Sequence, residues 1–142
     1  MCQECNYPKL LASAHLDITE NRMRVLEVIG NNGYPLTAAD IHKTLRRHTR
    51  INKVTVYRIL DLLVEHHLVE RLDSFGRTSY FGIAPNQYHR RHPHFFCKKC
   101  GRVDCLSPEC LDVDTSQLWK TFPGQIDKVE IRVDGLCKNC MR

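Results

Sequence analysis

A chain of 142 residues with a net charge of +5 and 42% hydrophobic residues holds enough apolar side chains for one ordinary domain or two small ones. No apolar run reaches the roughly 18 residues that span a bilayer, and the opening MCQECNYPK lacks the basic and apolar regions of a secretion signal, so a cytoplasmic protein with no membrane partner is expected. The mild basic excess permits an anionic partner, and eight cysteines in close pairs suit metal thiolates in a reducing compartment better than a secreted disulfide scaffold.

The first half reads as helices followed by a hairpin. Thr19 can cap a helix whose apolar residues Met23, Leu26 and Ile29 recur at helical spacing, and Gly30, Asn31, Asn32 and Gly33 stop it. Thr37 and Asp40 open a short second helix through Ile41, Thr44 and Leu45. A third begins near Asn52, with Val56, Ile59, Leu60, Leu63 and His67 on one side and Val54, Tyr57, Arg58, Asp61 and Glu65 on the other. Residues 68–72 and 79–83 read as strands joined by a turn over 73–78. Three helices and a hairpin are the winged-helix order.

Residues 84–87 read as a linker, beyond which the composition turns to His and Cys. The expected fold class is therefore α+β: an N-terminal winged helix-turn-helix domain (1–84) and a small C-terminal α/β dimerisation domain with a four-cysteine zinc site (88–142). In the second part a strand is expected from His94, a tight turn at Gly101, a helix near 115–122 and an alternating strand over 127–133.

Cys97-x-x-Cys100 and Cys137-x-x-Cys140 form two knuckles with the same gap. Four thiolates can close a tetrahedron around Zn²⁺ with no open position, a structural site rather than a catalytic one. In so small a domain such a metal supplies folding free energy on the order of 10 kcal/mol.

His89, His92 and His94 precede the first knuckle, and His92 and His94 would share a face if extended. Cys105, on the chain returning from Gly101, can reach them, with Glu70, Asp104, Glu109 and Asp112 as available carboxylates. Imidazole and thiolate together favour Zn²⁺ over Fe²⁺ or Mn²⁺. Cys2-x-x-Cys5 fits a further metal, a redox pair or an unordered start, the last being preferred, and Cys110 has no assigned role. The third helix exposes Lys53, Val54, Thr55, Tyr57 and Arg58 in the half that enters a major groove. There Arg58 can read guanine and Val54 and Tyr57 can touch thymine methyls. Arg22, Arg46, Arg47, Arg50 and Arg77 join Lys53 as candidates for phosphate contacts. A zinc hydrolase would need a motif such as His-Glu-x-x-His, which is absent.

Thr19-x-x-Arg22, Thr37-Ala-x-Asp40-Ile, Thr55-Val-Tyr-Arg-Ile-Leu60, His92-x-His94-x-x-Cys97-x-x-Cys100-Gly101 and Cys137-x-x-Cys140 together resemble the ferric uptake regulator superfamily over nearly the whole chain. The resemblance implies a homodimeric, metal-dependent repressor of palindromic double-stranded operators. It implies structural zinc on the four cysteines, DNA contacts by Tyr57 and Arg58, and a regulatory metal on His92 and His94. Arg91 and Pro93 stand where histidine runs are common, Gly82 where Glu, Asp or Cys is usual, Cys105 where a carboxylate is common, and Asp17 where a basic residue is expected. A regulatory set of Glu70, His92, His94 and Cys105 is more similar to the zinc uptake branch. Iron-responsive and peroxide- or thiol-sensing repressors of the same superfamily are the alternatives.

Overall fold

The computed structural model describes residues 5–141, and Cys2 of the N-terminal pair lies outside them. Its helices are α1 (Tyr7–Ser13), α2 (Glu20–Gly30), α3 (Ala38–Leu45), α4 (Lys53–Glu65) and α5 (Ser116–Thr121). Its strands are β1 (Leu36–Thr37), β2 (Val69–Ser74), β3 (Thr78–Ile83), β4 (His94–Cys97), β5 (Val103–Cys105) and β6 (Arg132–Gly135).

The caps expected for the three central helices form. Thr19 accepts from the Arg22 amide at 3.3 Å, Thr37 from Asp40 at 3.1 Å and Asn52 from Thr55 at 2.8 Å, each satisfying an orphan donor of the first turn. Helix α1 precedes them, with Asn6 capping it, and Cys5 packs against the core. The Tyr7 phenol fills the space beside Gly30, where a Cβ would stand 1.7 Å from its oxygen. Gly30 thus ends α2 as a docking gap as well as a helix stop.

His67 does not extend the buried side of α4. The helix ends at Glu65, and His67 turns left-handed at φ 59° and is exposed. That turn lets the Leu68 amide reach back to the Leu63 carbonyl at 2.9 Å, a Schellman-type close that satisfies the last carbonyls. Leu26, Ile41, Val56, Leu60 and Leu63 fill the core among α2, α3 and α4.

Antiparallel pairing orders the first sheet β1-β3-β2, with Leu72 opposite Tyr80 and Ser74 opposite Thr78. Both hairpin strands run further towards the tip than expected. Phe75 (φ 51°) and Gly76 (φ 69°) make a tight turn, closed by the Arg77 amide on the Ser74 carbonyl at 3.0 Å.

The second sheet is ordered β5-β4-β6, with β4 antiparallel to β5 and parallel to β6. The alternating stretch from 127 forms a strand only from Arg132. Its ladder starts at His94 opposite Arg132, where the His94 amide donates to the Ile131 carbonyl at 3.1 Å, and β4 has no residues before His94 to pair with the earlier stretch. No helix among the described residues is long and apolar enough to cross a membrane.

Candidate metal centre

Strand alternation places the centre. Val69 of β2, with Phe81 and Ile83 of β3, faces the helical core, so Glu70, Leu72 and Ser74 face the other way. Strand β4 meets that second face with His94 and Phe96. Three contacts result: Glu70 Oε1 lies 3.5 Å from His94 Nε2, Leu72 packs with Phe96 and Val103, and buried Ser74 donates its hydroxyl to the Gly101 carbonyl at 2.6 Å. Arg132 completes the contact, its guanidinium 3.8 Å from the Phe96 ring centre and 4.6 Å from that of Phe75, while donating to the Asp73 carbonyl at 3.1 Å.

At the Glu70 end, His92, His94 and Cys105 offer ligand atoms that all lie within 4.8 Å of one another. Cys105 sits directly opposite His94 in the antiparallel ladder. His92 reaches the group from the extended segment before Pro93 rather than from β4 itself, and the two imidazole centres are 4.6 Å apart.

Each imidazole has one nitrogen engaged and one bare. The His92 Nδ1 lies 3.1 Å from the Arg90 carbonyl, which can only accept, so the proton sits there and the Nε2 lone pair is free. His94 presents Nε2 to the Glu70 carboxylate. His92 Nε2 and His94 Nδ1 are buried with no hydrogen-bond partner. Such orphaned acceptors beside a thiol, each on a ring oriented by an oxygen on its far side, fit the donor set of a metal-binding pair.

The surroundings keep His94, His89 and Cys105 neutral. Desolvation, with the neighbouring His92, pulls His94 and His89 down from 6.5 to about 4. Burial pushes Glu70 up to about 7 against the pull of Lys128, whose ammonium is 3.9 Å away. Burial also pushes the Cys105 thiol up to about 11. Among the other carboxylates considered, Asp104 is held by Arg102, Glu109 by Ser107 and Arg90, and Asp112 is exposed. A cleft of about 530 Å³ opens onto the group and is also lined by His89, a residue whose ring stands edge-on to His92 at 5.2 Å.

Cys97, Cys100, Cys137 and Cys140 gather at the other end of β4 within the same 4.8 Å limit. The knuckle turns through Gly101 at φ 79° and is closed by its amide on the Cys97 carbonyl at 2.9 Å. Backbone amides of Cys100 and Cys137 point at the Cys97 sulfur and draw its thiol down to about 6, the polarity that favours a thiolate ligand. The four sulfurs fit a closed tetrahedral ion.

On α4, Lys53, Val54, Tyr57 and Arg58 are exposed, and Thr55 is half-buried. Arg46, Arg47, Arg50 and Arg77 are exposed as well, whereas Arg22 donates to the Asp17 carbonyl at 2.8 Å.

An exposed helix α4 and a hairpin, packed on a sheet that carries two clusters able to hold metal, fit a metal-responsive DNA-binding regulator. The family model described as Ferric uptake regulator family matches residues 13–132. The Ferric uptake regulation protein of Haemophilus influenzae is 36% identical over 133 residues, covering 92% of this chain and 89% of that one. The Helicobacter pylori ferric uptake regulator Fur superposes with a TM-score of 0.74 at 19% identity, covering 100% of this chain and 98% of that one. The holo form of XcZur superposes with a TM-score of 0.56 at 26% identity, covering 96% and 99%. The chain belongs to the ferric uptake regulator family of metal-responsive transcription regulators.

Proposed function

We propose that this chain is a homodimeric repressor of palindromic operators, with residues 1–84 binding DNA, residues 88–142 dimerising, and zinc acting as corepressor. The observation that carries the reading is the pair of bare buried nitrogens, His92 Nε2 and His94 Nδ1, beside Cys105, where the Glu70 strand of the wing meets the second sheet. A divalent ion bound there would supply fixed positive charge at that seam. His92, His94 and Cys105 would hold it, and Glu70 stands against His94 from the wing side. These residues would thereby favour one orientation of wing and sheet, in which two copies of α4 lie about 34–36 Å apart, one DNA turn.

Lys53 would contact phosphate, Thr55 and Tyr57 the backbone or thymine methyls, and Arg58 a guanine edge. Dimerisation is supported by α5, which buries none of its residues and leaves Leu118 and Trp119 exposed, and by β6, an edge strand of the second sheet. Cys97, Cys100, Cys137 and Cys140 would hold a second zinc that frames the sheet.

Zinc is preferred because a thiolate in the shell shifts selectivity to softer ions. Iron is the competing reading, favoured by the name of the Haemophilus influenzae relative. Titrating Zn²⁺ into protein that keeps its four-cysteine metal, while following operator affinity by fluorescence anisotropy, tests the reading. Tighter binding is expected; unchanged or weaker binding rejects it, and a response to Fe²⁺ but not Zn²⁺ selects the competitor.

A further inference from the structure

We propose that His89, on the segment between β3 and β4, is the fourth ligand of the site at His92, His94 and Cys105, and that Glu70 orients His94 rather than binding the ion. The proposal rests on the reading of that site as a metal centre.

Glu70 approaches His94 at Nε2, the nitrogen opposite the bare Nδ1. A carboxylate there fixes the tautomer and aims the other lone pair away from itself, just as the Arg90 carbonyl does for His92. The second Glu70 oxygen is occupied by Lys128 at 3.9 Å. Both carboxylate oxygens therefore have work outside a coordination shell, which leaves three ligands where zinc takes four.

His89 lines the cleft beside the group, outside its 4.8 Å limit, and a small shift of the segment that carries it would supply the missing ligand. Its ring lies edge-on to His92, lines the same cleft as His92, His94 and Cys105, and is half-buried. Its backbone is pinned by reciprocal hydrogen bonds with Asn86 at 2.9 and 3.1 Å, and Asn86 also accepts from the Tyr88 amide at 2.7 Å. The segment is thus held against the cleft by its own hydrogen bonds. Three imidazoles and one thiolate take a borderline ion such as Zn²⁺ or Co²⁺. Ligation through His89 makes the segment between β3 and β4 part of the sensor, because occupancy then fixes the chain that leads from one sheet to the other.

Co²⁺ added to protein that keeps its four-cysteine metal reports the shell through its visible bands and its thiolate charge-transfer band, and affinity follows from competition with a chelator. His89→Ala is expected to weaken and shift the visible bands and to lose more affinity than Glu70→Gln. Glu70→Gln is expected to keep the band shape while losing about 10–100-fold in affinity. His89→Cys should add charge-transfer intensity, a gain that no structural side effect mimics. Wild-type bands in His89→Ala, no added intensity in His89→Cys, or altered bands in Glu70→Gln would each overturn the assignment. Cys105→Ser separates the two readings: if it leaves the charge-transfer band unchanged, the metal centre itself is rejected and this proposal with it.

Discussion

Replacing Ser74 with alanine measures how firmly the wing is bolted to the second sheet. Ser74 is fully buried, and its hydroxyl donates across the seam to the carbonyl of Gly101, itself buried beside the Cys100 knuckle. Alanine keeps the methylene and removes one oxygen, so packing changes little while a buried carbonyl loses its donor. The hydrogen bond contributes about 1 kcal/mol net, and the stranded carbonyl raises the expected loss to about 1–3 kcal/mol. Ser79→Ala is the matched control, because its hydroxyl also makes a 2.6 Å bond, to Asp73, but in an exposed setting where water replaces it. Its effect is expected within about 0.5 kcal/mol. Urea unfolding at one protein concentration, with the four-cysteine metal in place, reads both, since ligands and partner subunits that bind only the folded chain shift the midpoint. Equal losses in the two variants, or a Ser74→Ala midpoint matching wild type, refute the bolt.

At about pH 8 the His94 imidazole is already neutral and the Cys105 thiol is still protonated, so metal binding beside them should release one proton from Cys105, which calorimetry in two buffers detects and Cys105→Ser abolishes. Without that metal, stability should rise with pH between about 4.5 and 6.5. Over that range His89 and His94, lowered to about 4, leave the unfolded chain binding more protons, while Glu70, raised to about 7, acts in the opposite sense. Glu70→Gln should steepen the rise, and a flat profile from unfolding at stepped pH contradicts the assignment. On operator DNA, Lys53→Ala should reduce the salt slope by about 1 across all sequences, whereas Arg58→Ala should cost about 1–3 kcal/mol and relax specificity. Anisotropy in a salt series distinguishes them, and an unchanged slope removes Lys53 from the phosphate contacts. Cys97→Ser should lose one metal equivalent and the dimer together, read by elemental analysis and sedimentation; retention of both speaks against a structural zinc.

Much of the fold was legible where chemistry is local. Thr19, Thr37 and Asn52 cap the amides expected of them because capping involves only neighbours three residues apart. The paired Cys-x-x-Cys spacing brought out the four-sulfur cluster for the same reason. His67 was misplaced because periodicity carries past a helix end unless the left-handed residue is recognised, and histidine is a poor flag for it. The strand expected from 127 rests on its own alternation, although its length is set by where its partner β4 begins, at His94. Least visible was the second face of the hairpin. Leu72, three positions after Val69, breaks the strand alternation and was the one hint that both faces of β2 are covered. Which nitrogen of His94 meets Glu70 depends on contacts between residues far apart in sequence, beyond the reach of spacing.

That doubly covered hairpin imposes an order on biosynthesis. Helices α1 to α4 and both hairpin strands emerge from the ribosome before the second sheet, and their shared core can close at once. Until Phe96 and Val103 follow, Leu72 and Tyr80 stand uncovered, and Ser74 waits for the Gly101 carbonyl. The knuckle bearing that carbonyl sets only when Cys137 and Cys140 join Cys97 and Cys100, with Cys137 made 40 residues after Cys97. An apolar strand face is therefore open to aggregation until that later stretch is made, and a metal taken up by the four sulfurs would shorten the wait.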